Sequence, residues 1–158
     1  QLYLLDIVYN DITYRKYDYD SMCDVAKRFG LLHKEKADVI DTWQDFFDWY
    51  YAVTDEDYKY NGRHIEGFVI EDANGYMVKI KLRYYNFWKF MRGVSHEAIR
   101  CGYIRRDKTS ALVTPLANQY YAWVKTLHDV EDRDSVPKDI CTLRKMFFDT
   151  EIGKQFIE

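Results

Sequence analysis

Glu66, Lys79 and Lys81 are the residues whose types and spacing point most directly to chemistry. They lie in Arg63-His64-Ile65-Glu66-Gly67-Phe68-Val69-Ile70-Glu71-Asp72-Ala73-Asn74-Gly75-Tyr76-Met77-Val78-Lys79-Ile80-Lys81-Leu82-Arg83. Lys79 and Lys81 are two residues apart, so on a strand they project to the same side, about 6.5 Å from each other. Two aligned ammonium groups repel unless an anion or a carboxylate sits between them. The pair therefore suits a bound phosphate, with Glu66 able to hold a lysine or a metal. The alternative is the ordinary solvated face of an antiparallel hairpin, where lysine and glutamate are common.

The element that must position these residues is a β-hairpin. Two β-rich runs flank Asn74-Gly75, a dipeptide that favours a two-residue type I′ turn. With that turn Ile70 lies opposite Lys79, Phe68 opposite Lys81 and Glu66 opposite Arg83. One face then carries Glu66, Phe68, Ile70, Lys79, Lys81 and Arg83, and the other carries Gly67, Val69, Glu71, Val78, Ile80 and Leu82. A glycine inside a strand, here Gly67, marks a bulge or a close backbone approach.

Charge is distributed unevenly along the 158 residues. Residues 1–62 hold 7 basic and 13 acidic side chains, residues 63–108 hold 10 and 5, and the remainder hold 6 and 8. The central segment, at 10 − 5 = +5 within a chain of net −3, can bind an anionic ligand or balance the acidic flanks within the fold. A hydrophobic content of 47% suffices for a core and argues against disorder. Cys23, Cys101 and Cys141 are odd in number and lack a CxxC pair, and His33, His64, His96 and His128 form no zinc signature. This usage fits a reducing compartment. No signal peptide or membrane-length apolar stretch occurs, so the expectation is a soluble, cytoplasmic, monomeric protein with no membrane partner. The chain opens directly on the strand-like Leu2-Tyr3-Leu4-Leu5-Asp6-Ile7-Val8-Tyr9, and is read as a fragment of something longer.

Around the hairpin, residues 2–9 read as a strand and residues 12–19 as a short extended segment. A helix capped by Asp20 or Ser21 runs to Phe29 and stops at Gly30. Thr42, with Asp45 three residues on, caps a helix to about Tyr51 whose Trp43, Phe46, Phe47 and Tyr50 are expected in the core. After Leu82 the apolar period changes from two to about 3.6. Tyr84, Tyr85, Phe87, Trp88, Phe90 and Met91 open a helix to Ile99 with a break near Gly93. Gly102 to Lys108 reads as a basic loop, Pro115 starts a helix to about Leu127, and His128 and Asp129 begin an acidic linker. Pro137 opens a last helical region with Leu143, Met146, Phe147 and Phe148 buried. Aromatic and basic residues interleave after Leu82, a pattern shared by packing helices and by nucleic-acid surfaces.

Ile65-Glu66-Gly67-Phe68-Val69-Ile70, a short hairpin, Val78-Lys79-Ile80-Lys81 and an aromatic segment resemble the last two nucleotidyltransferase motifs of ATP-dependent RNA ligases, in the branch typified by the bacteriophage T4 RNA ligase 1 and the fungal tRNA ligases. The resemblance covers about residues 1–92. It implies an α+β fold: the C-terminal portion of a nucleotidyltransferase (ATP-grasp-like) ligase domain with antiparallel strands over residues 1–83, then a small all-helical module over 84–158. It implies that Glu66 acts around nucleotide and divalent metal, and that Lys79 and Lys81 contact the phosphates of ATP or AMP. The implied cofactors are ATP and Mg²⁺, and the implied partner is RNA with 5′-phosphate and 3′-hydroxyl ends, in RNA or tRNA repair. The part after the fifth motif helps such enzymes recognise RNA, which points to Arg83, Lys89, Arg92, Arg100, Arg105, Arg106 and Lys108. Such ligases form a lysyl-AMP on the lysine of a KxDG motif. No KxDG occurs in these residues, so the N-terminal half with the nucleophile is expected to be missing and the 158 residues inactive alone. A non-catalytic α+β module that binds nucleic acid or protein is the alternative.

Overall fold

The computed structural model describes residues 2–55, 58–105, 112–132 and 135–157. The fold is α+β, with a small antiparallel sheet, a short parallel pairing and several helices. The chain divides into two compact units, residues 1–47 and 48–158.

In the first unit, strand β1 (Tyr3–Leu4) pairs in parallel with β2 (Leu32–His33), and helix α1 (Tyr19–Arg28) connects them. The strand expected over residues 2–9 is thus only two residues long. Beyond it Val8 and Lys16 form an isolated antiparallel bridge. Helix α1 starts one turn earlier than Ser21 suggests, because the Asp18 carboxylate accepts the Ser21 amide at 2.9 Å. It ends before Gly30, which takes φ +64°. Met22, Cys23 and Ala26 are buried. The Asp6 carboxylate meets Lys16 at 3.2 Å and Lys34 at 3.4 Å. Burial opposes its charge, but hydrogen bonds and proximity to these lysines outweigh that and hold its carboxyl below the usual range.

Helix α2 (Trp43–Val53) begins where Thr42 caps it: the hydroxyl accepts the Asp45 amide at 3.1 Å and donates to the Asp45 carboxylate at 2.6 Å. Its aromatic residues depart from expectation. Trp43 is 76% exposed, Phe47 and Tyr50 are exposed as well, and Phe46 is half-buried. Trp43, Phe46 and Phe47 cover one another with ring centroids 5.7 to 6.1 Å apart rather than entering a core. Local aromatic stacking satisfies part of the same hydrophobic demand.

The second unit carries the hairpin and the helical bundle. Strands β3 (Gly67–Glu71) and β4 (Met77–Lys81) are antiparallel. Helix α3 (Arg83–Cys101) follows at once and runs unbroken through Gly93, so the expected break is absent. It ends at Gly102 in the left-handed conformation. Helix α4 (Pro115–Thr126) has Thr114 as its cap, with a hydroxyl that accepts the Ala117 amide at 3.1 Å, and Pro115 in its first turn. A 3₁₀ turn (Leu127–Asp129), α5 (Ile140–Phe148) and α6 (Glu151–Lys154) complete the unit.

The core lies between α3, α4 and α5. Trp88, Met91, Val94 and Ala98 on one stripe of α3 meet Ala117, Tyr120 and Val124 of α4, with Phe147 of α5 closing the set. Leu143 and Phe147 are fully buried as expected, Phe148 is half-buried and Met146 is exposed. A polar pair sits inside. Ser95 Oγ donates to the Met91 carbonyl at 2.8 Å, and therefore accepts the Tyr120 hydroxyl proton at 2.9 Å. Burial pushes the Tyr120 pKa up to about 12 against the opposing pull of Ser95 and Arg144.

Candidate active site

The hairpin turn sets the site. The Asp72 amide donates to the Tyr76 carbonyl at 3.0 Å, so the loop has three residues, Ala73, Asn74 and Gly75, rather than two. The Asp72 carboxylate accepts the amides of Asn74 and Tyr76 at 2.9 and 2.8 Å, and the Gly75 amide reaches the Asp72 carbonyl at 2.9 Å. This is an aspartate-nucleated turn closed by a glycine at φ +81°. Its extra residue shifts the register by one. Gly67 pairs with Lys81, Phe68 with Ile80, Val69 with Lys79 and Ile70 with Val78.

A one-residue shift exchanges the two faces relative to each other. Lys79 and Lys81 still share a side, but their companions are Gly67, Val69 and Glu71 instead of Phe68 and Ile70. Phe68 instead packs on the opposite side, with Trp49, Tyr58 and Tyr60 around it at centroid distances of 5.2, 6.1 and 5.8 Å. That aromatic cluster holds the hairpin from below and leaves the lysine face open. By register Glu66 stands opposite Leu82, whose amide donates to the Glu66 carbonyl at 3.0 Å, and not opposite Arg83.

Glu66 nevertheless forms an ion pair with Lys81. Gly67 explains how. Its φ of +156° interrupts the regular alternation at the start of β3. A Cβ there would lie 1.9 Å from the Ile80 carbonyl oxygen and 3.1 Å from the Lys81 Cα. The close backbone approach expected of this glycine is therefore present, and it brings Glu66 and Lys81 together at the end of the ladder.

Lys81 is held from a second side by Tyr85, over whose ring its Nζ sits 4.2 Å from the centroid. Tyr85, two residues into α3, reads in the sequence as packing; only the abrupt turn from β4 into α3 places it under the lysine. Lys79 is exposed and, among the described residues, has no ion-pair or hydrogen-bond partner. A shallow groove of about 250 Å³ runs between Glu66, Val69, Lys79 and Lys81. It is below the roughly 300–1,000 Å³ of pockets that enclose a small ligand, so it suits contact with phosphates more than enclosure of a whole nucleotide.

The basic residues expected to meet nucleic acid divide. Lys89, Arg92 and Arg100 are exposed, and their spacing on α3 puts them on the face away from the core. Arg83 starts the helix on a different side. Arg105 is engaged by the Glu97 carboxylate at 2.9 Å. Arg106 and Lys108 lie outside the described residues.

Residues 1–85 match the RNA ligase family of the T4 RNA ligase 1 type, which is more than half of the 158-residue chain. The chain belongs to that RNA ligase family. The matched span ends just past Lys81 and includes Tyr85, so the whole lysine face of this RNA ligase chain falls inside it. No curated protein and no solved structure matches the chain. Among the described residues no helix is long and apolar enough to cross a membrane, and no group of three histidine, cysteine or acidic side chains is placed to hold a metal.

Proposed function

We propose that the chain is the C-terminal part of the nucleotidyltransferase domain of an ATP-dependent RNA ligase, over residues 1–83, with a helical module over 84–158. The intact enzyme joins 5′-phosphate and 3′-hydroxyl RNA ends through lysyl-AMP and RNA-adenylate, in RNA or tRNA repair. The observation that carries this reading is the pair of lysines on one face: Lys79 exposed and without a partner among the described residues, Lys81 fixed between Glu66 and Tyr85. Each step of such a reaction moves a phosphoryl centre between anionic oxygens, and fixed cations offset the charge that develops. Lys81 is preorganised by its carboxylate and ring. Lys79 is available to move onto a phosphate oxygen.

The fit to Mg²⁺ rests on one carboxylate. Glu66 is already shared with Lys81, and a magnesium ion bound by one carboxylate takes its other ligands from water and substrate phosphates. Glu66 would hold the ion in that way. When bound, it polarises the phosphoryl oxygens as a Lewis acid. The three unpaired cysteines support a reducing, cytoplasmic setting. The nucleophilic lysine belongs to a KxDG sequence that these residues do not contain.

The test restores the upstream sequence and compares Lys79→Ala, Lys81→Ala and Glu66→Ala with the parent. Each is expected to lower adenylylation or sealing at least ~10-fold, since one lost contact to developing charge is worth roughly 1.4 kcal/mol or more. Full sealing by both lysine variants, or an upstream sequence without KxDG, overturns the reading. The 158 residues by themselves, given α-labelled ATP and Mg²⁺, are expected to show no covalently labelled band on denaturing electrophoresis.

A further inference from the structure

Where the hairpin passes into α3, the exposed imidazole of His64 lies parallel on Tyr84, with centroids 4.3 Å apart and planes at 4°. Tyr84 is fixed in turn, because Arg144 of α5 donates to its hydroxyl at 2.9 Å. The guanidinium carbon of Arg144 stands 5.5 Å from the centroids of both Tyr84 and Trp88. This ladder of His64, Tyr84, Arg144 and Trp88 ties the hairpin to the helical bundle.

Its members carry more donors than acceptors. Among the described residues the half-buried Arg144 has no carboxylate partner and spends one N–H on Tyr84. The indole N–H of Trp88 is buried and has no acceptor among the described residues. Among the described residues His64 has no hydrogen-bond partner, and Tyr84 is the one ring that covers it. A half-buried guanidinium without a counter-charge calls for an anion, and an imidazole backed on one face by a fixed ring offers its other face to a planar group. A planar base joined to an anionic phosphate meets both demands.

We propose that His64, Tyr84 and Arg144 form a nucleotide-docking step for a single RNA strand. A base stacks on the free face of His64, and the strand's phosphate is neutralised by Arg144. The proposal rests on the ligase reading and adds to it a contact outside the Glu66, Lys79 and Lys81 cluster. It places the strand across the junction of hairpin and bundle, beside the exposed Arg63.

The test measures anisotropy of a fluorescein-labelled, 5′-phosphorylated oligoribonucleotide titrated with the 158-residue chain at several salt concentrations, with ATP titrated in a parallel arm. His64→Ala is expected to weaken strand binding ~5-fold or more, as loss of one base stack does, and His64→Phe to retain it within about 2-fold. Arg144→Gln is expected to weaken binding and to flatten the slope of log K against log salt by about 0.7, the contribution of one phosphate on a single strand. Arg144→Lys, which preserves the charge, should keep the slope; circular dichroism confirms that each variant is folded. Strand binding by folded His64→Ala equal to that of the parent, or an unaltered salt slope in folded Arg144→Gln, overturns the proposal. So does absence of strand binding by the parent, or a loss confined to ATP, which would assign the stacked base to ATP. Failure of this site leaves the ligase reading intact, because that reading stands or falls on sealing by the Lys79, Lys81 and Glu66 variants.

Discussion

Gly67→Ala tests how the hairpin positions its chemistry. The added Cβ would lie 1.9 Å from the Ile80 carbonyl oxygen, against about 3.4 Å for ordinary contact, so β4 must retreat by roughly 1.5 Å or the turn at Gly67 must change. Retreat weakens one or two hydrogen bonds at the Gly67 and Lys81 end of the ladder, each worth about 0.5–1.5 kcal/mol. Holding alanine at φ +156° costs on the order of 1–3 kcal/mol more. Together these give about 3 kcal/mol of local destabilisation, or ~100-fold in the opening equilibrium. Amide hydrogen exchange reads this directly, because the Leu82 amide is bonded to the Glu66 carbonyl at 3.0 Å across the strained end. Its exchange is expected to accelerate ~100-fold. The Tyr17 amide, bonded to the Ile7 carbonyl at 2.9 Å in the other compact unit, serves as an unaffected control. Lys79→Ala, a surface change, should leave the Leu82 amide nearly as protected as in the parent. If Gly67→Ala exchanges like the parent at Leu82, the close approach does not hold the two strands, and the account of how Glu66 reaches Lys81 fails with it.

The remaining predictions concern the interior and pH. Ser95→Ala leaves the Tyr120 hydroxyl without its acceptor in the core and is expected to lower stability by about 1–3 kcal/mol, whereas the double variant with Tyr120→Phe should recover part of that loss in urea unfolding. Tyr120 has a folded pKa raised from its ordinary 10 to about 12, so its share of stability is present below pH 10 and is lost as pH rises through about 12; Tyr120→Phe should flatten the alkaline limb of the melting curve. Asp6 behaves oppositely: its folded pKa is lowered, so its contribution is present above its unfolded pKa and lost as pH falls through the folded one. Asp6→Asn should flatten the acid limb of unfolding followed at the Tyr17 amide, and an unchanged limb would show that Lys16 and Lys34 give the carboxylate no net support.

What the sequence determined was local. A spacing of two puts Lys79 and Lys81 on one side of any strand, whatever the register, because successive side chains alternate. Thr42 with Asp45 fixes a helix start, Pro115 behind Thr114 fixes another, and Gly67 marks a close approach, since each depends on geometry within a few residues or on a missing Cβ. The RNA ligase family was legible too, in the Glu66-Gly67 and Lys79-Ile80-Lys81 pairings that the family match spans. Which other residues share the lysine face turned on a local competition between two turns, and tertiary packing decided what the opposite face meets. Asn74-Gly75 favours a two-residue turn, but the Asp72 carboxylate captures two amides and makes a three-residue one, and the one-residue shift sends Phe68 to Trp49, Tyr58 and Tyr60. It also decided which aromatics are core and which are contacts. Tyr85 beneath Lys81, and Arg144 on Tyr84 from 60 residues away, depend on helices packing against the hairpin. Periodicity within one segment carries no information about which side chain of a distant segment arrives beside it.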